Sequence, residues 1–143
     1  MSHSRPEPEA APNLLRVGWR EWVTLPDLLR KPVRAKMDTG ARSSALAATH
    51  IRLRNDEVRF RAVGATQEHR VPLLDERWIT DAGGHRELRP IILTTLQLGD
   101  YCTEIQISLT ARRGLRYRML VGRAALAGHC LVDPQSSYLL KRP

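Results

Sequence analysis

The stretch Val33-Arg34-Ala35-Lys36-Met37-Asp38-Thr39-Gly40-Ala41 carries the first decision about this chain. Val33, Ala35 and Met37 alternate with Arg34 and Lys36, the period of a β-strand with one apolar and one charged face. That strand runs straight into Asp38-Thr39-Gly40, residue types that favour turns. Alone, the triplet reads as a turn with catalytic potential, and its context has to decide between the two.

Period-two alternation continues on both sides. Leu15, Val17, Trp19, Trp22, Val23 and Leu25 predict a strand-like stretch that stops at Pro26-Asp27. Downstream, Ile51 and Leu53 lead into an Asn55-Asp56 turn. Val58, Phe60 and Ala62 then alternate with Arg59 and Arg61, which predicts a hairpin with a basic face. The runs Ile91 to Leu98 and Ile105, Ile107, Leu109 flank Gly99-Asp100, a second hairpin signal. Gly122 to Ala127 is the best short helix, with Gly128 placed to cap its end. Leu131-Val132 and Tyr138-Leu139-Leu140 close the chain around an expected turn at Pro134. Residues 1–13, interrupted by Pro6, Pro8 and Pro12, read as a disordered lead, and residues 14–143 as one domain without repeat or linker. The fold class expected is mostly β: a small closed barrel with one short C-terminal helix.

The chain has 143 residues, enough for one compact core and too few for two ordinary domains. With a single Phe, that core must be built chiefly from aliphatic side chains. No apolar run approaches the ~20 residues of a membrane span, and the amino terminus lacks the apolar stretch of a signal peptide. A cytoplasmic protein is expected, with no membrane partner. Cys102 and Cys130 fit neither a disulfide framework nor a zinc-ligand spacing and read as reduced, partly buried thiols. The net charge of +8, mostly arginine, favours anionic partners. Nucleic acid is not expected among them, because the basic faces lack the interleaved aromatics that stack bases.

Far downstream of the Asp38-Thr39-Gly40-Ala41 segment lies Met119-Leu120-Val121-Gly122-Arg123, followed by the short helix. This combination resembles the signature of retropepsin-like aspartic peptidases, in which the second segment threads behind the catalytic loop. A closer resemblance is to the bacterial retropepsin-like family labelled ATP-dependent zinc proteases, RimB-like proteins associated with RimK-type ATP-grasp glutamate ligases. It is carried by Val17-Gly18-Trp19-Arg20-Glu21, Lys36 to Leu46, Gly84 to Pro90, Arg118 to Arg123 and Leu131-Val132-Asp133-Pro134.

The resemblance implies a retropepsin-like acid-protease barrel with Asp38, Thr39 and Gly40 as the catalytic loop. Two carboxylates about 3 Å apart then share one proton, so that one activates water while the other serves the scissile carbonyl. A single chain supplies one Asp-Thr-Gly, and a C2 homodimer with its site on the axis follows from the hypothesis. Asp75, Asp81 and Asp133 carry no motif that recommends them as a second acid within the chain. Ala41 is small enough for a tight strand crossing. Gly83-Gly84-His85-Arg86-Glu87 falls where the family has its flap, and reads equally as a flexible hairpin tip. Ala41, Arg42, Gly84, His85, Arg86 and Arg89 are the substrate-contact candidates, with Gly122 and Arg123 supporting the site. Arg42 departs from viral retropepsins, which place acids just after Asp-Thr-Gly-Ala, so Arg123 is expected to pair with some other acid.

The substrate class implied by the resemblance is an acidic, glutamylated protein tail, to which the +8 charge and Arg42 are suited. An ATP-grasp ligase or a ribosomal protein is the implied partner. No cofactor and no metal are expected: there is no His-Glu-x-x-His, the five histidines have no ligand spacing, and no Gly-x-x-x-x-Gly-Lys loop is present. The competing function is a basic β-barrel module that docks anionic tails, a ligase or a ribosomal surface without cutting.

Overall fold

Burial alternates along residues 33–38 as the sequence pattern requires: Val33, Ala35 and Met37 are buried while Arg34 and Lys36 face solvent. In a computed structural model that describes residues 13–111 and 115–143, this segment is the second of ten strands. The elements in chain order are β1 (Leu15–Val23), β2 (Val33–Asp38), β3 (Ser44–Arg54), β4 (Glu57–Ala62), β5 (His69–Pro72) and β6 (Asp75–Thr80), then β7 (Arg86–Leu98), β8 (Tyr101–Thr110), β9 (Met119–Gly122), α1 (Arg123–Leu126) and β10 (Cys130–Ser137). Residues 1–12 of the lead expected over 1–13 lie outside the described residues.

Hydrogen bonds order the main sheet β10-β1-β2-β9-β3-β8-β7-β6. Here β2 lies between β1, antiparallel to it, and β9, parallel to it. The expected hairpins form. Asn55 and Asp56 both take left-handed angles (φ 50° and 63°), as a tight β3–β4 turn demands, and Gly99 does the same (φ 59°) between β7 and β8. Val17, Leu46, Phe60, Ile92, Leu96, Ile107, Met119 and Val121 are buried in one aliphatic core with a single phenylalanine.

Two expectations are corrected. The mostly β architecture with one short helix holds, but no ladder of strand pairing closes the sheet into a ring. The first part of β3, Ser44 to Ala47, pairs with β8 and, at Ala45 and Leu46, with β9, whereas Ala48 to Arg54 pair with β4 across a register slip between Thr49 and Arg52. A left-handed residue in that slip, His50 (φ 55°), marks a bulge within the β3–β4 pairing, which begins at Ala48 where the pairing with β8 ends. One isolated antiparallel bridge, Thr24 with Gln97, links the end of β1 to β7. The second correction concerns Pro134, which lies inside β10 and not in a turn between two segments. The parallel register with β1 jumps from Gly18–Asp133 to Arg20–Ser137, so Pro134, which has no N–H to donate, sits in the bulge.

The chain end is tied down by a buried acid. Glu21 is fully enclosed, and its carboxylate accepts from the N–H groups of Gly18 (2.6 Å), Leu139 (2.9 Å) and Leu140 (3.1 Å). Removing the acceptor leaves three backbone donors short of a partner. Glu21→Ala is expected to lower the unfolding free energy by about 2–4 kcal/mol in chemical denaturation. Hydrogen exchange at the Leu139 and Leu140 amides should accelerate beyond that of β7.

Candidate active site

β2 delivers Asp38 at its last position, directly beside Gly122 on the parallel strand β9. The chain leaves β2 through Thr39-Gly40-Ala41, closing a turn with Ala41 N–H on the Asp38 carbonyl at 3.2 Å. Asp38 Oδ1 accepts from the Gly40 N–H at 3.1 Å, which fixes the carboxylate over its own loop. The side chain stays half-buried while Thr39 and Gly40 are exposed, so the acid is held firmly yet reachable from outside.

The loop is clamped from below by the start of α1. Arg123 N–H donates to the Ala41 carbonyl (2.7 Å) and Ala124 N–H to the Arg42 carbonyl (2.9 Å), so loop carbonyls take the place of a side-chain cap. The Arg123 guanidinium Nη1 donates to the Thr39 carbonyl at 3.1 Å. Arg123 was expected to pair with an acid; it binds a backbone carbonyl of the Asp-Thr-Gly loop and makes no ion pair among the described residues. Gly122 is where the two segments touch. A Cβ there would lie 2.4 Å from the Ser43 carbonyl carbon and 2.5 Å from its oxygen, too close for any other residue without moving backbone. The Gly122 N–H donates to Ser44 Oγ at 3.0 Å.

From Ser44 a buried chain of contacts runs outward. Ser108 Oγ donates to the Ser44 carbonyl (3.3 Å), Arg89 Nη1 donates to Ser108 Oγ (3.3 Å), and Arg89 Nε donates to Glu87 Oε1 (2.8 Å). Thr110 Oγ1 (2.8 Å) and Ala111 N–H (3.3 Å) also donate to Glu87. Burial pushes the Glu87 carboxyl up, but these donors and the Arg89 charge outweigh it and hold the group below its usual 4.5. Arg89, a substrate-contact candidate on sequence, is only 6% exposed and its guanidinium is taken up inside the protomer.

The remaining candidates separate into two places. Arg42 lines a cleft of about 710 Å³ together with Arg77 and Trp78 of β6, Tyr101 and Gln106 of β8, and His129. Its walls are ordered: Arg77 donates to Gln106 (3.0 Å), Tyr101 donates to the Ala125 carbonyl (3.0 Å), and the Tyr101 and His129 rings stack 4.7 Å apart. Gly84, His85 and Arg86 are exposed at the β6–β7 hairpin tip and do not line that cleft. The tip is organised by Asp81, whose carboxylate accepts from the N–H groups of Gly83 (2.9 Å) and His85 (3.0 Å), while Gly84 adopts φ +82°. Arg86 lies over the exposed ring of Trp78, 4.5 Å from its centroid.

The three aspartates weighed as a second acid, Asp75, Asp81 and Asp133, are engaged elsewhere, Asp81 at the hairpin tip. Asp75 pairs with Arg77, and Asp133 with Arg16, Gln135 and Ser136. Among the described residues no three of His, Cys, Asp and Glu gather into a metal-holding group, and Cys102 and Cys130 are free. No helix there is long and apolar enough to cross a membrane. Sequence reading missed the roles of Ser44, Ser108 and Glu87. Ser44 sits in the quoted run after Asp38, and Glu87 and Arg89 share a strand face two residues apart, so part of this network had a local signal.

Comparison with known proteins places the same residues in a family context. The family described as RimB-like, retropepsin-like aspartic endopeptidase RimB, matches residues 16–143. A probable alpha-L-glutamate ligase from Parasynechococcus marenigrum is 36% identical over 136 residues, covering 87% of this chain and 29% of that protein. One from Shewanella halifaxensis is 33% identical over 138 residues, covering 90% and 30%. The chain thus spans less than a third of the length of these curated relatives. The crystal structure of a Legionella pneumophila protein of unknown function superposes with a TM-score of 0.72 at 27% identity, over 89% of this chain and 98% of that one.

Two substitutions test the clamp. Gly122→Ala should cost about 2–3 kcal/mol of stability through overpacking against Ser43, and it should shift the Thr39 and Gly40 amide resonances. Because Glu87 is held below its unfolded value, its contribution is fully present above about pH 4.5 and is lost as pH falls through the folded value. Glu87→Gln should therefore lower stability near neutrality by about 1–2 kcal/mol, the carboxylate being partly open to solvent. Its denaturation midpoint should converge with that of wild type in acid.

Proposed function

Since the chain belongs to the RimB-like family of retropepsin-like aspartic endopeptidases, we propose that it hydrolyses peptide bonds with a water activated by Asp38, at a site completed by a second copy of the chain. The observation that carries this reading is the Asp38 carboxylate itself: reachable from solvent, bonded to Gly40 N–H, and set on a loop held by Gly122 and Arg123. A catalytic acid needs this kind of rigid presentation, because misplacement by about 1 Å costs on the order of 100-fold in rate.

One carboxylate cannot serve as both base and acid in the same step. Two Asp38 side chains about 3 Å apart share one proton, since both cannot ionise at that distance. The ionised one takes a proton from the attacking water, and the protonated one gives its proton to the scissile carbonyl oxygen. The carboxyl that took the water's proton then passes it to the amide nitrogen, and a hydroxyl of the tetrahedral intermediate returns its proton to the other Asp38. The C–N bond breaks, and the pair again holds one proton. A twofold axis through the loop supplies both groups.

The substrate class we assign is an acidic, glutamylated protein tail. The net charge of +8 supports it, as do Arg42 beside the catalytic loop and Arg77 across the cleft. So do the glutamate-ligase names of the relatives, whose matched region is under a third of their length. A ligase or a ribosomal protein in the cytoplasm is the partner this reading brings with it. Binding without cutting is the rival function, and it requires no second carboxylate.

Asp38→Asn separates the two functions, since it keeps the shape of the side chain and removes the base. Cleavage of a glutamylated peptide should fall by about 10³-fold while the affinity for that peptide is kept. Wild-type protein that binds such peptides from acid to neutral pH and cuts none of them would contradict the peptidase reading for this substrate. In light scattering, the active species should be a dimer; activity carried by a strict monomer would rule out the shared site.

A further inference from the structure

A second concavity, of about 370 Å³, lies at the other end of the strands that hold the catalytic loop. Its lining includes Val33, the first residue of β2, and Arg118, which immediately precedes β9. Asp38 and Gly122 stand at the far ends of these strands, about 17 Å away at ~3.3 Å per residue along β2. The cavity is therefore separate from the peptidase site and shares none of its residues.

Its chemistry is one-sided. Arg30, Lys31 and Arg118 line it, and no aspartate or glutamate does. None of the three cations has a side-chain hydrogen bond or ion pair among the described residues. Two acids flank the lining in sequence: Glu68 is paired with Arg52, and Asp27, next to Leu28, makes no ion pair with Arg30 or Lys31 among the described residues. Four arginines elsewhere, Arg16, Arg52, Arg77 and Arg89, pair with carboxylates, whereas these three cations share one hollow without an acid in its lining. Arg118 is also positioned: Gly64, at φ +91°, leaves room for its guanidinium, and a Cβ there would come within 2.3 Å of Nη1. A fourth polar group belongs to His69, which lines the cavity and whose buried Nε2 has no hydrogen-bond partner. The Nε2 atom itself is shielded from solvent, so His69 contributes ring surface to the lining. Leu28 and Val33 supply apolar wall beneath the charged rim.

From this arrangement we infer that the cavity bounded by Arg30, Lys31, Arg118 and His69 binds a small organic anion: one phosphate or carboxylate head on an apolar body. The volume is at the small end for compact ligands. The rim offers guanidinium and ammonium donors to a single anionic head, and the apolar wall receives the rest of the molecule. The inference is independent of whether the protein cuts peptides.

The test titrates the whole chain with phenyl phosphate and with benzoate, using neutral phenol as the control. Calorimetry supplies the affinity and amide NMR the location. At least one anion should bind saturably, with shifts at Gly64, His69 and Arg118 and none at Thr39 or Gly40; the tighter anion identifies the preferred head group. The Arg30→Gln/Lys31→Gln double variant and Arg118→Gln should each weaken binding tenfold or more while keeping the wild-type melting temperature. Asp38→Asn should leave the affinity unchanged. No saturable binding of either anion overturns the inference, and so do equal binding of phenol, insensitivity to all three charge removals, or shifts confined to the Asp38 loop.

Discussion

The arrangement around Asp38 depends on one close crossing, where Gly122 passes beneath the carbonyl of Ser43 with no space for a side chain. Because the chains touch there, the first helical N–H groups of α1 can reach the carbonyls of Ala41 and Arg42, and the Arg123 guanidinium can reach that of Thr39. The loop that presents the acid is thus held through three of its carbonyls, those of Thr39, Ala41 and Arg42. Ser44 ties the same crossing to β8 through Ser108, and Arg89 and Glu87 extend the tie to β7, the strand that runs up to the hairpin tip. Tip and loop are consequently parts of one connected framework, although the tip residues themselves lie outside the cleft.

Much of this was legible where the determinants are local. The alternation at Val33, Ala35 and Met37, the Asn55-Asp56 and Gly99 turns, and the Arg-Ala-Ala-Leu helix all follow from short-range preferences, and each is found. The juxtaposition of Asp38 with Gly122 was legible only through family resemblance, since no periodicity in the chain joins segments so far apart. Arg89 illustrates the limit. An arginine at an alternating strand position faces solvent by default, and only the arrival of Ser108 from β8 and the fold of Glu87 back onto it turn this one inward. The same applies to Arg123, whose partner is a carbonyl and so has no signature in the side-chain sequence. The fork in β3 and the bulge at Pro134 depend on register with other strands, which alternation within one strand does not encode.

The distribution of charge gives the molecule two electrostatic regions that differ in kind. Near the Asp38 loop, Arg42 and Arg77 share a wide cleft with Glu104, and Arg77 is partly neutralised by Asp75. At the opposite end of β2 and β9, Arg30, Lys31 and Arg118 surround a smaller hollow with no acid in its lining. The first is the larger and carries both signs of charge, whereas the second is smaller and carries only positive charge. An overall charge of +8 cannot separate these cases, and only the placement of individual side chains does.

The central claim is that this chain holds half of a catalytic pair, and the distance between two Asp38 carboxylates tests it most directly. A crystal structure of the protein with an acidic peptide bound would provide that distance. The account predicts two copies related by a twofold axis, with their Asp38 carboxylate oxygens about 3 Å apart beneath the peptide. A peptide bound to a single copy, or to a dimer whose Asp38 side chains lie far beyond hydrogen-bonding reach, would contradict it.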